Sequence, residues 1–167
     1  MNRRRLLAAC GAGVGTLAGG VAWRRVRGPS VPPGIEAATT HLEADVLFRA
    51  PDRDPEFPEW KSEHHTVVPD AAAAEERLVD DGSVAEFVAA TDFAESVLIV
   101  VQNGMQSEME LVLDAIERVA DGLRLDVSVE APSGGPDDLR THSLLVRLTG
   151  AEPRVPLRVT VDVEGYV

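Results

Sequence analysis

The chain has 167 residues, with 28 acidic and 16 basic side chains and a net charge of −12. That length suits one domain plus appendages. The acids are scattered along the chain after its first segment, which excludes nucleic acid as a partner because its phosphates would be repelled. Cys10 is the only thiol, so no internal disulfide can staple the fold. With four Phe, two Trp and one Tyr, aliphatic side chains must fill the core.

Charge is divided sharply. Residues 1–27 hold six arginines and no acid, so the remainder carries all 28 acids against ten bases, a net charge of −18. Lys61 is the single lysine against fifteen arginines. High net charge keeps a protein soluble, and its self-repulsion is tolerable where salt screens it to within about 3 Å at 1 M. Acidity together with lysine scarcity reads as a halophilic, haloarchaeal-type protein.

Residues 1–27 form the first unit. Arg3 and Arg4, with Leu6 and Leu7 after one more residue, fit the twin-arginine export pattern. The apolar run Leu6–Trp23 is rich in glycine and sits at the lower edge of what spans a bilayer. Arg24, Arg25 and Arg27 follow it, and positive charge close to an apolar segment resists translocation. The nearest small-residue cleavage candidate is Ala18-Gly19-Gly20. Leu7-Ala8-Ala9-Cys10 matches a lipidation site by residue type. However, only four apolar residues separate Cys10 from the arginines, whereas a signal needs roughly 7–15. Cys10 is therefore read as part of the apolar run and not as a lipid anchor. "GAGVG" within this run is a chance glycine run, because no strand precedes it. The segment is an export signal, cleaved or retained as a membrane anchor.

Residues 28–34, "GPSVPPG", make a stiff Pro/Gly linker, and 35–167 the acidic domain. Within the domain an early strand is expected in "HLEADVLFRA" (41–50), a surface loop in "PDRDPEFPE" (51–59) and a short strand in "HHTVV" (64–68). Pro69-Asp70 opens a helix over "AAAAEERL". A second helix is expected over Ser83–Ala90, with Ser83 and Glu86 as a capping box. "SVLIVVQ" (96–102) is a continuous β-branched run, the mark of a buried strand. "LRLDVSVEA" (123–131), "SLLVRL" (143–148) and "VPLRVTVDV" (155–163) read as further strands, the first and last alternating cleanly as a sheet with one wet face does.

One stretch is ambiguous. "SEMELVLDAIERVADG" places Met109, Val112, Leu113, Ile116 and Val119 at helical spacing, with a capping box at Ser107 and Glu110. Against this, Asp121-Gly122 signals a hairpin turn, and a strand must pair with 123–131. A hairpin here needs a bulge to absorb "LVL" and "AI".

The order "DFAESVLIVVQNGM", "MELVLDAIERVADGLRLDVSVEAP", "THSLLVRLTG" resembles the C-terminal domain of the PrcB protease-complex subunit, over about residues 92–163. Asp92-Phe93, the following strand, Gly104 and the Asp121-Gly122 hairpin match in order, while Gln106-Ser107 replaces the family's Gly-Gly pair. The resemblance implies a hairpin over 108–131 and an exported, protease-like protein as partner. The expected fold is mostly β (α+β), an antiparallel sheet or sandwich with one or two short helices.

Candidate chemistry is sparse. His64 and His65 point to opposite faces of a strand and cannot chelate one ion together, and His142 joins them only through tertiary accident. Asp80-Asp81 and Asp137-Asp138 lack the alternating oxygen ligands of a calcium loop. Ser143 beside His142 lacks a nucleophile elbow. The sequence thus points to no catalytic site, metal or cofactor. It suggests an exported or membrane-tethered protein-binding module working in high salt; the alternative is a metal- or ligand-binding surface protein.

Overall fold

The computed structural model describes residues 28–47, 64–80, 82–130, 138–156 and 158–165. Arg3, Arg4, Leu6, Leu7 and Cys10 of the export segment lie outside the described residues, as do the loop at 51–59, Lys61, Asp81 and Asp137.

The domain is mostly β, with two short helices: β1 (Glu36–Leu42), β2 (His64–Val68), α1 (Ala71–Arg77), α2 (Gly82–Ala89), β3 (Ser96–Gln106), β4 (Glu110–Val119), β5 (Gly122–Glu130), β6 (Leu139–Thr149) and β7 (Arg158–Glu164). They form two sheets, β1-β6-β3-β2 and β4-β5-β7. All pairings are antiparallel except β5–β7, which is parallel. The expected mostly-β fold with antiparallel sheets is thus present, with this one parallel pair in addition. The chain reaches β7 from β5 by way of β6 in the other sheet, so a tight hairpin does not dictate its direction.

The four-stranded sheet is apolar on both faces. Val97, Ile99, Val101, Leu144, Val146 and Leu148 pack with the inward residues of the three-stranded sheet. Leu98, Val100 and Leu145 pack on the other side with Val46, Val84, Leu78 and the small residues Ala73 and Ala74 of α1. This accounts for the unbroken apolar run in β3, all of whose residues from Ser96 to Met105 are buried. Each such aliphatic side chain contributes roughly 1.5–3 kcal/mol on burial. The three-stranded sheet is apolar on one face only. Leu123, Leu125 and Val127 are buried, and the residues between them are partly exposed.

Residues 110–130 form the hairpin. Leu111 and Leu113 face the core, and Ile116 faces it again because a bulge at Asp114 inserts one extra residue between Leu113 and Ala115. The spacing Leu113 to Ile116 is what imitates a helix. Ser30 docks on the bulged strand through a parallel bridge to Ala115: its N–H donates to the Asp114 carbonyl at 2.9 Å, and the Ile116 N–H donates to its carbonyl at 2.8 Å. The start of the Pro/Gly segment is therefore tied to the sheet.

Several boundaries move. The first strand covers 36–42, ahead of the expected 41–50, because backbone pairing with β6 holds "EAATT" in place without an apolar alternation. Asp70 caps α1 as expected, its carboxylate accepting from the Ala73 N–H at 2.8 Å. α2 begins at Gly82, so Ser83 lies inside the first turn and is not the cap. The final strand begins at Arg158, after Val155.

Candidate functional site

Five of the buried polar side chains, Gln102, Asn103, Ser107, His142 and Ser143, gather at one end of β3 and β6, while Thr91 and Ser96 lie at the other. The register sets Asn103 opposite His142, and His41 falls beside them on the inter-sheet face beyond Val101 and Leu144. Asn103 and His142 are fully buried. His41 Nε2 lies 3.1 Å from His142 Nδ1, with ring centroids 5.3 Å apart and ring planes within 13°. The centroid separation exceeds the nitrogen separation by close to one ring's width, so the imidazoles meet edge to edge along an N–H···N bond. One ring donates and the other accepts.

Burial lowers the His41 imidazole from 6.5 to about 4, and the neighbouring His142 adds to the drop. Burial also lowers His142, while the negative charge of Glu43 and the Gln106 backbone oppose it. Both rings are therefore neutral near pH 7. Around them, Nε2 of His142 and both amide atoms of Asn103 are buried without a hydrogen-bond partner among the described residues. Such orphaned groups cost about 1–3 kcal/mol each.

The opposite face of the same sheet end carries a satisfied network. Gln102 Nε2 donates to Asp45 Oδ1 at 2.8 Å and to Ser143 Oγ at 3.0 Å. Ser143 in turn donates to the Ala44 carbonyl at 2.6 Å. Ser143 and His142 thus project to opposite faces, and the hydroxyl and the imidazole do not meet. Nearby, Ser107 donates to the Asp138 carboxylate, which holds that acid below its ordinary value with help from Arg140.

The residues singled out in the sequence do not converge. His65 uses Nε2 on the Val159 carbonyl at 3.0 Å, bridging the two sheets, while His142 is engaged with His41, which the sequence reading passed over. The signal that could have found His41 is its position two residues off the partner of His142 across β1–β6, visible only once the register is known. Among the described residues no three His, Cys, Asp or Glu side chains gather to hold a metal ion. A cleft between the tip of the β4–β5 hairpin and Ala151–Pro156 encloses about 170 Å³, below the roughly 300–1,000 Å³ of small-molecule sites. No helix among the described residues is long and apolar enough to cross a membrane.

No family model, curated protein or solved structure matches this chain.

Proposed function

We propose that the chain is an exported or membrane-tethered β-domain that acts by binding another protein in a high-salt environment. The observation that carries this reading is the division of charge: six arginines and an apolar run in residues 1–27, then a net charge of −18 on the rest. An acidic surface of that size suits a medium whose salt screens self-repulsion. The resemblance over about residues 92–163 favours an exported, protease-like partner.

The export reading is tested by replacing Arg3 and Arg4 with Lys and fractionating cells. Loss of the exported form supports it, and unchanged export defeats it. The high-salt reading is tested by melting the protein at about 0.1 M and 1 M salt, where the screening length falls from about 10 Å to about 3 Å. The melting temperature should rise, and one that does not move defeats the reading. Pull-down from the native membrane fraction with the intact chain tests the binding role directly.

The unpartnered atoms of Asn103 and His142 favour a second reading, a metal- or ligand-binding surface protein. It is the weaker of the two, since the pair is sealed from solvent at His142 and the facing nitrogens are spent on each other. A thermal shift on adding zinc or calcium at high salt would favour it.

A further inference from the structure

We propose that the free edge of β1 docks a second copy of this chain, the two β1 strands pairing antiparallel about Thr39 so that the four-stranded sheets join into one. The two sheets have four outer strands, β1, β2, β4 and β7. An open strand edge is a template for another chain, and proteins blunt it with charge, proline, a bulge or a covering group. Three of the four are blunted here. On β2, Arg77 donates Nη1 to the Val67 carbonyl at 3.0 Å. On β7, His65 Nε2 donates to the Val159 carbonyl at 3.0 Å. On β4, the bulge and the bonds to Ser30 interrupt the edge, and Glu110 and Glu117 charge it.

β1 has none of these devices. Its seven residues pair with β6 without a break in register and contain no proline. Between Glu36 and Glu43 it reads Ala-Ala-Thr-Thr-His-Leu, a stretch free of Asp, Glu, Lys and Arg in a domain of net charge −18. Among the described residues no backbone group pairs with the side of β1 away from β6.

Charge selects the occupant. Glu36 and Glu43 bound the strand, so a strand added here must place no acid opposite them. A second β1 meets that condition when the pairing centres on Thr39. Thr39 then faces Thr39 of the copy, Ala38 faces Thr40, Ala37 faces His41 and Glu36 faces Leu42. Threonine pairs across strands are favourable, and Thr39 is exposed. The two Glu36 carboxylates end up six residues of strand apart, about 20 Å, whereas charges act over about 10 Å even at about 0.1 M salt. Arg140 lies 3.8 Å from Glu43 and offsets its charge beside the copy's Glu36. Such self-pairing is the isologous contact of a two-fold dimer. The inference goes beyond the binding role proposed above and does not depend on export.

The test uses the full chain, produced without export and held in mild detergent at about 1 M salt, where charges act over about 3 Å. Sedimentation should give the protein mass of two chains for wild type. It should give one chain for Thr39→Lys, which sets like charges opposite each other at an exposed position. Register is read by disulfide trapping in a Cys10→Ser background, since Cys10 is the only thiol. Thr39→Cys places two thiols on paired residues, whose Cα atoms are about 4.5–5.5 Å apart, within the roughly 4.4–6.8 Å that a disulfide spans. Oxidation should therefore yield a covalent dimer. Ala37→Cys puts the two thiols about 13 Å apart along the strands and should not. A monomeric wild type, a dimer that persists in Thr39→Lys, no trapping at position 39, or equal trapping at both positions would overturn the proposal. A monomer would leave the edge to a strand of a different protein, and a persistent dimer would assign the contact to another part of the chain. No readout involves translocation or a different protein, so failure here is distinct from failure of the binding reading.

Discussion

Gly122 and Arg158 stand backbone against backbone: a β-carbon on Gly122 would lie 1.9 Å from the Arg158 carbonyl oxygen. The two are register partners in the parallel β5–β7 pair. What requires glycine is close approach and not a left-handed turn, because the positive-φ glycines are Gly34, Gly82, Gly150 and Gly165. The hairpin turn itself falls on Ala120-Asp121, between Val119 and Gly122, one residue ahead of the expected Asp121-Gly122. A backbone oxygen cannot swing aside as a side chain can. Gly122→Ala should therefore cost about 3 kcal/mol or more, measured by chemical denaturation. An alanine variant as stable as the parent would show that β7 does not approach β5 this closely.

How much of this was legible in the sequence depends on what each segment's pattern records. β3 and β5 were plain, since continuous apolar character and clean alternation report burial on two faces and on one. β1 was misplaced because an edge strand held by backbone bonds to β6 needs little apolar patterning. The stretch 110–119 was ambiguous for a physical reason: the Asp114 bulge turns a period of two into a step of three, which a helix shares. The parallel β5–β7 pairing left no mark, as direction is set by a crossover and not by side chains. The histidine pair was invisible because His41 and His142 are 101 residues apart and meet through strand register alone.

Arg154 holds three pieces of backbone together. Its Nη1 donates to the carbonyls of Pro69 at 2.7 Å, Phe93 at 2.9 Å and Ser96 at 3.3 Å. These tie the start of α1 to the turn that opens β3. Hydrogen bonds from a charged donor are worth about 1.5–3 kcal/mol, so Arg154→Met should destabilise by about 2 kcal/mol or more. Arg154→Lys should recover part of this, since an ammonium carries three N–H donors for the three carbonyls but its side chain is one bond shorter than that which places Nη1. Equilibrium unfolding of both variants checks the claim; equal stability of Met and wild type would refute it.

Asn103 is a site where the fold gives up stability. Both amide atoms are buried without partners among the described residues, opposite His142 and in line with Val101 and Met105. Removing an orphaned polar group recovers its desolvation cost, about 1–3 kcal/mol. Asn103→Leu should accordingly raise the unfolding midpoint, with Asn103→Val as the smaller replacement if leucine overfills the space. If both variants lower the midpoint, the amide is satisfied in solution.

Burial of the His41 and His142 imidazoles makes stability depend on pH. The folded-state value of His41, about 4, lies below its ordinary 6.5, and His142 is lowered in the same sense. Between those values the unfolded chain binds protons that the folded chain refuses, so stability rises with pH there. The contribution is fully present above about 6.5 and is lost as the pH falls toward 4. The upper part of this window, roughly pH 6.5 to 5, lies above the ordinary carboxylate range, so it isolates the imidazoles from the many acids. His41→Gln keeps a side chain able to bond His142 Nδ1 but removes one titrating ring. The fall in melting temperature from pH 6.5 to 5 should therefore be shallower in His41→Gln than in wild type, with a residual slope from His142. His142→Gln should flatten the profile in the same direction. Parallel profiles for wild type and both variants would show that the pair is protonated as readily in the folded chain as in the unfolded one.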